Sequence, residues 1–497
     1  MNNQEEFIKA EGTVFPGKTY KEELLIPIFN DQRDNLFDSM FDIHRAHIIM
    51  LKEQQIISSD EAKMMLAGTN KVAKTDSSQL TYQPQYEDLF FMMEAKIAEE
   101  IGPELAGKIH IARSRNDMGV AMYRLVLREY FLKLFDSCYR LSEILLEKAE
   151  QHDETYITGY THTQPAQPTT LGHYFLAIYD VLQRDIKRLW SAYETVNKSP
   201  LGAAAMTTTG FPISRARTAE LLGFDGIVEN SFDAIAGADY LLETAAALMT
   251  CMVNTGRWIQ DFLLQVTREF GTFTVADPYV QVSSIMPQKR NPVSIEHSRS
   301  LASSAFSEAQ AVMNMIHNTP FGDIVDTEDD LQPHLYRAFN KANRVMKLMY
   351  AVIATLKVNK EHAKVMAEKS CITITELADT LAREHGVGFR KAHEIASHIS
   401  IKTASEKKEL SDWTVEEINK MIQKFVEVEL TKEIWNDIIS PLYFVKIRGI
   451  AGGPSPKEVK RMIEERKGSI AAMRRNFEMV IQKIGQKRKE LCEESKS

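Results

Sequence analysis

The 16 prolines of this 497-residue chain are unevenly placed. None falls between Pro103 and Pro165, between Pro212 and Pro278, or between Pro333 and Pro441. A proline inside a helix removes one backbone hydrogen bond and clashes with the preceding turn, so a long helix needs a proline-free window. Each of these windows can hold one very long helix or two ordinary ones. In the first, Leu134, Cys138, Leu141 and Leu145 step by four, three and four, which is one apolar helical face. In the third, Ala338 to Val358 is rich in Ala, Met, Leu and Lys, all good helix formers. Period-two alternation is scarce. The expectation is an all-α chain of long, nearly parallel helices packed as a bundle, with the apolar stripes as its core. The length exceeds one ordinary core. Soft boundaries near residues 115 and 365 divide it into an N-terminal helical domain 1–115, a central bundle 116–365 and a C-terminal helical domain 366–497.

Composition removes several classes. A formal net charge of −8 argues against nucleic acid as the main partner, because phosphate binding needs a basic footprint. No apolar run approaches the roughly 20 residues that span a bilayer. The polar, acidic start, MNNQEEFIKAEG, lacks the basic and apolar regions of a signal peptide. Four dispersed cysteines show neither CxxC nor zinc spacing and read as free thiols in a reducing cytoplasm. The histidines include no HExxH, and the pair His44 and His47 on a probable helix reads as structural rather than metal-binding.

The chemistry-bearing residues crowd into the stretches between helices. VSSIMPQKRNP (282–292) puts Ser283 and Ser284 shortly before Lys289 and Asn291. A serine can act as a base only where a cation or backbone amides lower the cost of its alkoxide. No GxSxG elbow surrounds it, which disfavours a hydrolase nucleophile; the plainer reading is a pair of serines starting a helix. HIARSRND (110–117) carries Arg113, Ser114, Arg115 and Asn116, suited to carboxylate or phosphate, or else a turn with Asn116 or Asp117 as N-cap. GYTHTQPAQP (159–168) offers Thr161 and His162, a residue that titrates near neutral pH. GIAGGPSP (449–456) lacks the GK[ST] ending of a phosphate loop and reads as a turn.

Together these loops resemble the fumarase/aspartase superfamily, whose S-S-x-M-P-x-K-x-N signature reads here Ser283 to Asn291. The argininosuccinate lyase branch is the one that Ala112–Asp117, Gly159–Pro168, PLGAAA (200–205), the FPI to FDG run (211–226), YEDLFFMMEAKI (86–97) and TELADTLAREHGVGFRKAHEI (375–395) are similar to. The resemblance spans about residues 35 to 470. It implies an all-α, three-domain fold whose central bundles assemble into a homotetramer, with active sites made by loops of three subunits. It implies a carbon–nitrogen lyase that releases fumarate from an N-substituted aspartate, with no metal or organic cofactor. Carried over, Ser283 is the base. Lys289 and Asn291 stabilise the carboxylate intermediate. Thr161, Asn116, Arg115 and Ser284 hold the succinyl carboxylates, and His162, supported by Glu296, assists proton movement at the leaving nitrogen.

The chain departs from that pattern in four places. Val282 stands where a Gly precedes the two serines, and Met118 where a Gln follows ARSRND. Ile43-His44-Arg45-Ala46-His47 replaces a small Gly-Ser stretch. Asp323, Glu328 and Leu331 occupy the Tyr–Gln–Lys set that holds the amine part of the substrate. The expectation is an intact fumarate-forming half with a rebuilt amine half, so that a lyase for ethylenediamine-disuccinate-type substrates is the concrete alternative to argininosuccinate. A catalytically silent structural relative, or a sibling such as adenylosuccinate lyase or aspartase, is disfavoured by the retained loops. The basic tail 470–497 lies beyond the resemblance.

Overall fold

The computed structural model describes residues 3–496, and its architecture is all-α. Five long helices form the centre: Arg115–Gln151, Leu171–Val196, Asp239–Gln265, Val293–Ile316 and Gln332–Thr355. Each packs on the next, and the fifth returns to the first, so the five close into a ring around one apolar core. The proline-free windows mark three of them. The predicted stripe Leu134, Cys138, Leu141 and Leu145 is fully buried in that core.

Helices successive in the chain alternate in direction, so the fifth runs parallel to the first. Tyr174, at the start of the second, donates to Asp261 near the end of the third at 2.5 Å. At the other end, Arg124 donates to the Thr195 carbonyl at 2.7 Å and lies 4.0 Å from the Tyr240 ring centroid. The first helix has 37 residues and so runs about 50 Å between these ends. Loops around 113–116, 200–205 and 317–331 therefore cap one end, and loops 152–170 and 266–292 cap the other.

Aromatic rings fill the middle. Phe135, fully buried, stacks on Trp190 at 4.2 Å and meets Phe477 edge-on at 6.3 Å. Phe135→Ala is expected to cost about 3–5 kcal/mol, because the facing rings cannot collapse into the space. A shifted midpoint in chemical denaturation measures it; a change below about 1 kcal/mol would mean the bundle centre is pliable.

A second apolar cluster joins the N-terminal helices Phe37–Glu53, Ser59–Val72 and Leu89–Ile101 to the start of the first bundle helix. A third is built around Ile374–Arg383 and Phe389–Ser405. There Glu376, fully buried, is held between Arg383 at 2.9 Å and Arg448 at 3.0 Å. The basic tail is the second half of a 39-residue helix, Pro456–Glu494. Ile463, Ile470, Phe477, Ile484 and Leu491, seven residues apart, are its buried stripe. Its cations pair with acids of the bundle: Arg466 with Asp180 through two 2.7 Å bonds, Arg474 with Asp136 at 2.9 Å, Arg488 with Glu129 at 2.9 Å.

Sheet is confined, among the described residues, to three two-stranded ladders. GYTHTQPAQP lies in one of them, a hairpin pairing Tyr156–Thr161 with Gln164–Thr170. Its two turn residues, His162 and Thr163, have φ of 51° and 61°. That left-handed pair gives a tight two-residue hairpin turn. GIAGGPSP is a turn, as expected: Gly452 has φ 83°, and a Cβ on Gly453 would lie 2.2 Å from the Arg448 carbonyl oxygen. Among the described residues no helix is long and apolar enough to cross a membrane.

Candidate active site

The signature segment is a hairpin loop. Gln281–Val282 pairs with Arg290–Asn291 in a two-residue ladder, and residues 283–289 bulge from it. The Arg290 guanidinium anchors the base by pairing with Asp277 at 2.6 Å and donating to the Val275 carbonyl at 2.9 Å. The serines therefore do not start a helix; the next helix begins at Val293. Instead the Ser283 Oγ accepts backbone N–H groups of Ile285 at 3.3 Å and Met286 at 3.0 Å. Two amide donors aimed at one hydroxyl oxygen lower the cost of placing negative charge there. Ser284 and Lys289 are exposed, and Lys289 has no ion-pair partner among the described residues.

Thr161 and His162 stand exposed at the tip of the 156–170 hairpin, at the same end of the bundle. Glu296, on the first turn of Val293–Ile316, is exposed too. Within this chain it makes no hydrogen bond with His162 among the described residues, so the anticipated support is not an intrachain contact.

Arg115 and Asn116 lie at the opposite end. Ser114, rather than Asn116 or Asp117, caps the helix: its Oγ accepts from the Asn116 N–H, and Asp117 accepts the Ser114 N–H at 3.0 Å. The other Asp117 oxygen takes the N–H groups of Gly202 at 2.8 Å and Ala204 at 3.1 Å, tying the PLGAAA loop to this end. Arg115 pairs with Glu87 at 3.1 Å and Asp88 at 3.2 Å. Asn116 donates to Asp323 at 2.7 Å. Asp88, Arg115, Asn116 and Asp323 line a cavity of about 270 Å³ with Glu328 and Asp329. Asp329 accepts from Gln32 and Tyr123, each at 3.1 Å. Burial, reinforced by Asp323 and Asp329, pushes the Glu328 carboxyl up to about 7. Burial also raises Asp88 to about 6. The cavity thus holds four carboxylates against one guanidinium.

Asp88 and Asp329 were not anticipated as site residues. Asp88 is the N-cap of the helix Leu89–Ile101, accepting the Phe91 N–H at 3.0 Å. The acidic run DTEDD (326–330) was the available signal for Asp329. The Ile43-His44-Arg45-Ala46-His47 departure is structural. His44 accepts from Arg113 at 3.1 Å and His47 bonds the Ile111 carbonyl at 2.9 Å, both buried.

Glu328 also yields a stability prediction. A carboxyl raised in the folded state binds a proton that the unfolded chain has released, so between pH about 4.5 and 7 rising pH costs stability. Glu328→Gln is therefore expected to melt higher than the parent at pH 8, the gain vanishing below pH 5. Equal melting temperatures across that range would show that the carboxylate is not penalised.

The Lyase family matches residues 35–307, and the argininosuccinate lyase C-terminal family matches residues 371–446. The chain is 39% identical over 474 residues to argininosuccinate lyase 2 of Agrobacterium fabrum, covering 93% of each protein. It is 36% identical to the argininosuccinate lyase of Methanocaldococcus jannaschii, over 88% of this chain and 90% of that one. The crystal structure of EDDS lyase in complex with formate superposes with a TM-score of 0.85 at 30% identity, covering 98% of this chain and 96% of that one. On fold, signature hairpin and these likenesses together, the chain belongs to the argininosuccinate lyase family of the fumarase/aspartase superfamily and is a carbon–nitrogen lyase.

Proposed function

We propose that the protein catalyses the reversible elimination of fumarate from an N-substituted aspartate whose amine portion carries a further cation. The observation that carries this reading is the Ser283 hydroxyl gripped by two backbone N–H groups on the signature hairpin. Ser283 takes the proton from the carbon next to the carboxylate. The electron pair moves into that carboxylate, the C–N bond breaks, and the amine leaves with its electrons and collects a proton. Lys289 and Asn291 stabilise the doubly charged carboxylate, which a preformed cation and amide do without reorganising. Arg115, Asn116, Thr161 and Ser284 hold the carboxylates, and His162 with Glu296 moves the proton at the nitrogen. The step is redox-neutral.

One chain does not bring these groups together, because some 50 Å of helix separates Asn116 from His162. Self-association as a homotetramer, with each site assembled from loops of neighbouring copies, resolves this. A small-molecule substrate and the reducing cytoplasm, where Cys138, Cys251, Cys371 and Cys492 stay free, complete the reading.

The amine is the open half. Argininosuccinate is favoured by the relatives, and an ethylenediamine-disuccinate-type substrate by the acidic cavity of Asp88, Asp323, Glu328 and Asp329. Both offer a cation that would displace the proton on Glu328. The test is fumarate release from argininosuccinate, ethylenediamine disuccinate and an N-alkyl aspartate with no second cation. The two cationic substrates are expected to exceed the third by at least about tenfold in kcat/KM, one desolvated ion pair being worth 1.4 kcal/mol or more. Equal rates on all three would sink the role given to the acids, and no fumarate from any, nor addition to it in reverse, would indicate a silent relative.

A further inference from the structure

Ser283, Lys289 and Asn291 share one hairpin, and little of the hairpin's own structure holds it in place. Its ladder has two residue pairs, Gln281 with Asn291 and Val282 with Arg290. Gln281 and Arg290 are exposed and Val282 is 69% exposed, so these side chains do not seat the ladder on the bundle. An isolated two-stranded ribbon of this length is not stable in water. Ties to the rest of the chain must fix it. One lies just beyond the ladder, where the Ser294 Oγ donates to the Tyr279 carbonyl at 2.9 Å. The other is Arg290, whose side chain alone among the four ladder residues is bonded, among the described residues. Its Nη2 donates to the Val275 carbonyl at 2.9 Å and its Nη1 meets Asp277 at 2.6 Å.

Val275 is a firm anchor. It is buried in the bundle core and follows the strand Phe273–Thr274, which pairs with Lys357–Val358. Asn359 braces that pairing, donating to the Gly271 carbonyl at 2.6 Å and to the Thr274 Oγ1 at 3.1 Å. The Phe273 ring lies 5.2 Å from that of Phe262 in the core. An exposed ion pair such as Arg290 with Asp277 contributes little by itself. The bond to the carbonyl of a buried residue is what gives the guanidinium a fixed direction. Successive side chains of a strand point to opposite faces, so turning Arg290 toward Val275 turns Asn291 the other way. We infer that Arg290 is a positioning residue for the elimination, setting where Ser283, Lys289 and Asn291 stand without itself touching the substrate. This rests on the roles proposed above for those three. A misplacement of about 1 Å in a reacting group can cost on the order of a hundredfold in rate.

The test measures kcat and KM for fumarate release from the fastest of the three substrates named above. Beside it, deuterium uptake by residues 281–291 is followed in the substrate-free, full-length protein. Arg290→Gln is expected to lower kcat about tenfold to a hundredfold, with KM changed less than about threefold and the melting temperature unmoved. Uptake in that segment should rise while the rest of the chain exchanges as before. Arg290→Lys, whose ammonium can still meet Asp277, is expected to recover part of the loss. Asp277→Asn, which leaves the Val275 bond in place, should cost less than about fivefold. Added to Ser283→Ala, Arg290→Gln should cost much less than it does alone, because the two act through one step. A parental kcat in Arg290→Gln overturns the inference, as does full additivity with Ser283→Ala. A loss confined to KM, with uptake unchanged, overturns it too and makes Arg290 a substrate contact. Failure of the Ser283 reading shows separately, as activity kept by Ser283→Ala; the kcat and uptake of Arg290→Gln then still decide the role of Arg290.

Discussion

Ser283→Ala is expected to lower kcat for fumarate release by a factor between about a hundred and ten thousand, the range that a positioned proton acceptor contributes. The melting temperature should hardly move. Ser283 sits in a loop whose neighbours are mostly exposed, and its side chain buries little there. What it loses is two hydrogen bonds from Ile285 and Met286, about 1 kcal/mol each and local to the loop. That leaves an ambiguity between a base and a loop organiser, which a second variant resolves. Asn at 283 can accept the same two N–H groups through its side-chain oxygen, as Asn does in turns, but cannot take up a proton. Ser283→Asn should therefore be as slow as Ser283→Ala while keeping the loop's protection from proteolysis. If Ser283→Asn retained activity within about threefold of the parent, the base would lie elsewhere.

Much of this arrangement was legible in the sequence, for reasons that differ from element to element. The bundle was readable because a long helix must exclude proline and must bury a stripe, and both leave linear traces. The hairpin at 156–170 was not, because two prolines and a register slip at Gly159/Tyr160 disguise the strands, and its turn is made by His and Thr rather than Asn-Gly. The tail carried a plain signal, four buried residues at intervals of seven, Ile470, Phe477, Ile484 and Leu491, in a stretch where the resemblance had ended. The acidic cavity was half legible: Asp323 and Glu328 stand out against the resemblance, whereas Asp88 and Asp329 join them only through tertiary packing. Least legible was distance. Sequence spacing gives no hint that Asn116 and His162 lie at opposite ends of one helix, since both are flanked by the same polar, turn-rich text.

That separation predicts the second large effect. Asn116→Leu and Ser283→Ala disable opposite ends of the bundle, and each pure protein should be nearly inactive. In a homo-oligomer where one copy's Asn116 end meets another copy's Ser283 end, random mixing leaves some sites with both intact ends. Each end is sound in half of the copies, so a one-to-one mixture unfolded and refolded together should recover up to about a quarter of parental activity. Mixing without dissociation should recover nothing until subunits exchange. Asn116→Leu removes a bond to Asp323 at the rim of a cavity and leaves Ser114 to cap the helix, so the variant should still assemble. A site completed within one chain predicts the opposite, because every copy then carries a broken site of its own. Activity that stays at the level of the two single variants after co-refolding, with assembly confirmed by light scattering, would mean that the two ends never share a substrate. Recovery would instead place the C–N bond between loops that one copy cannot bring together, and would make association a condition of catalysis rather than of stability alone.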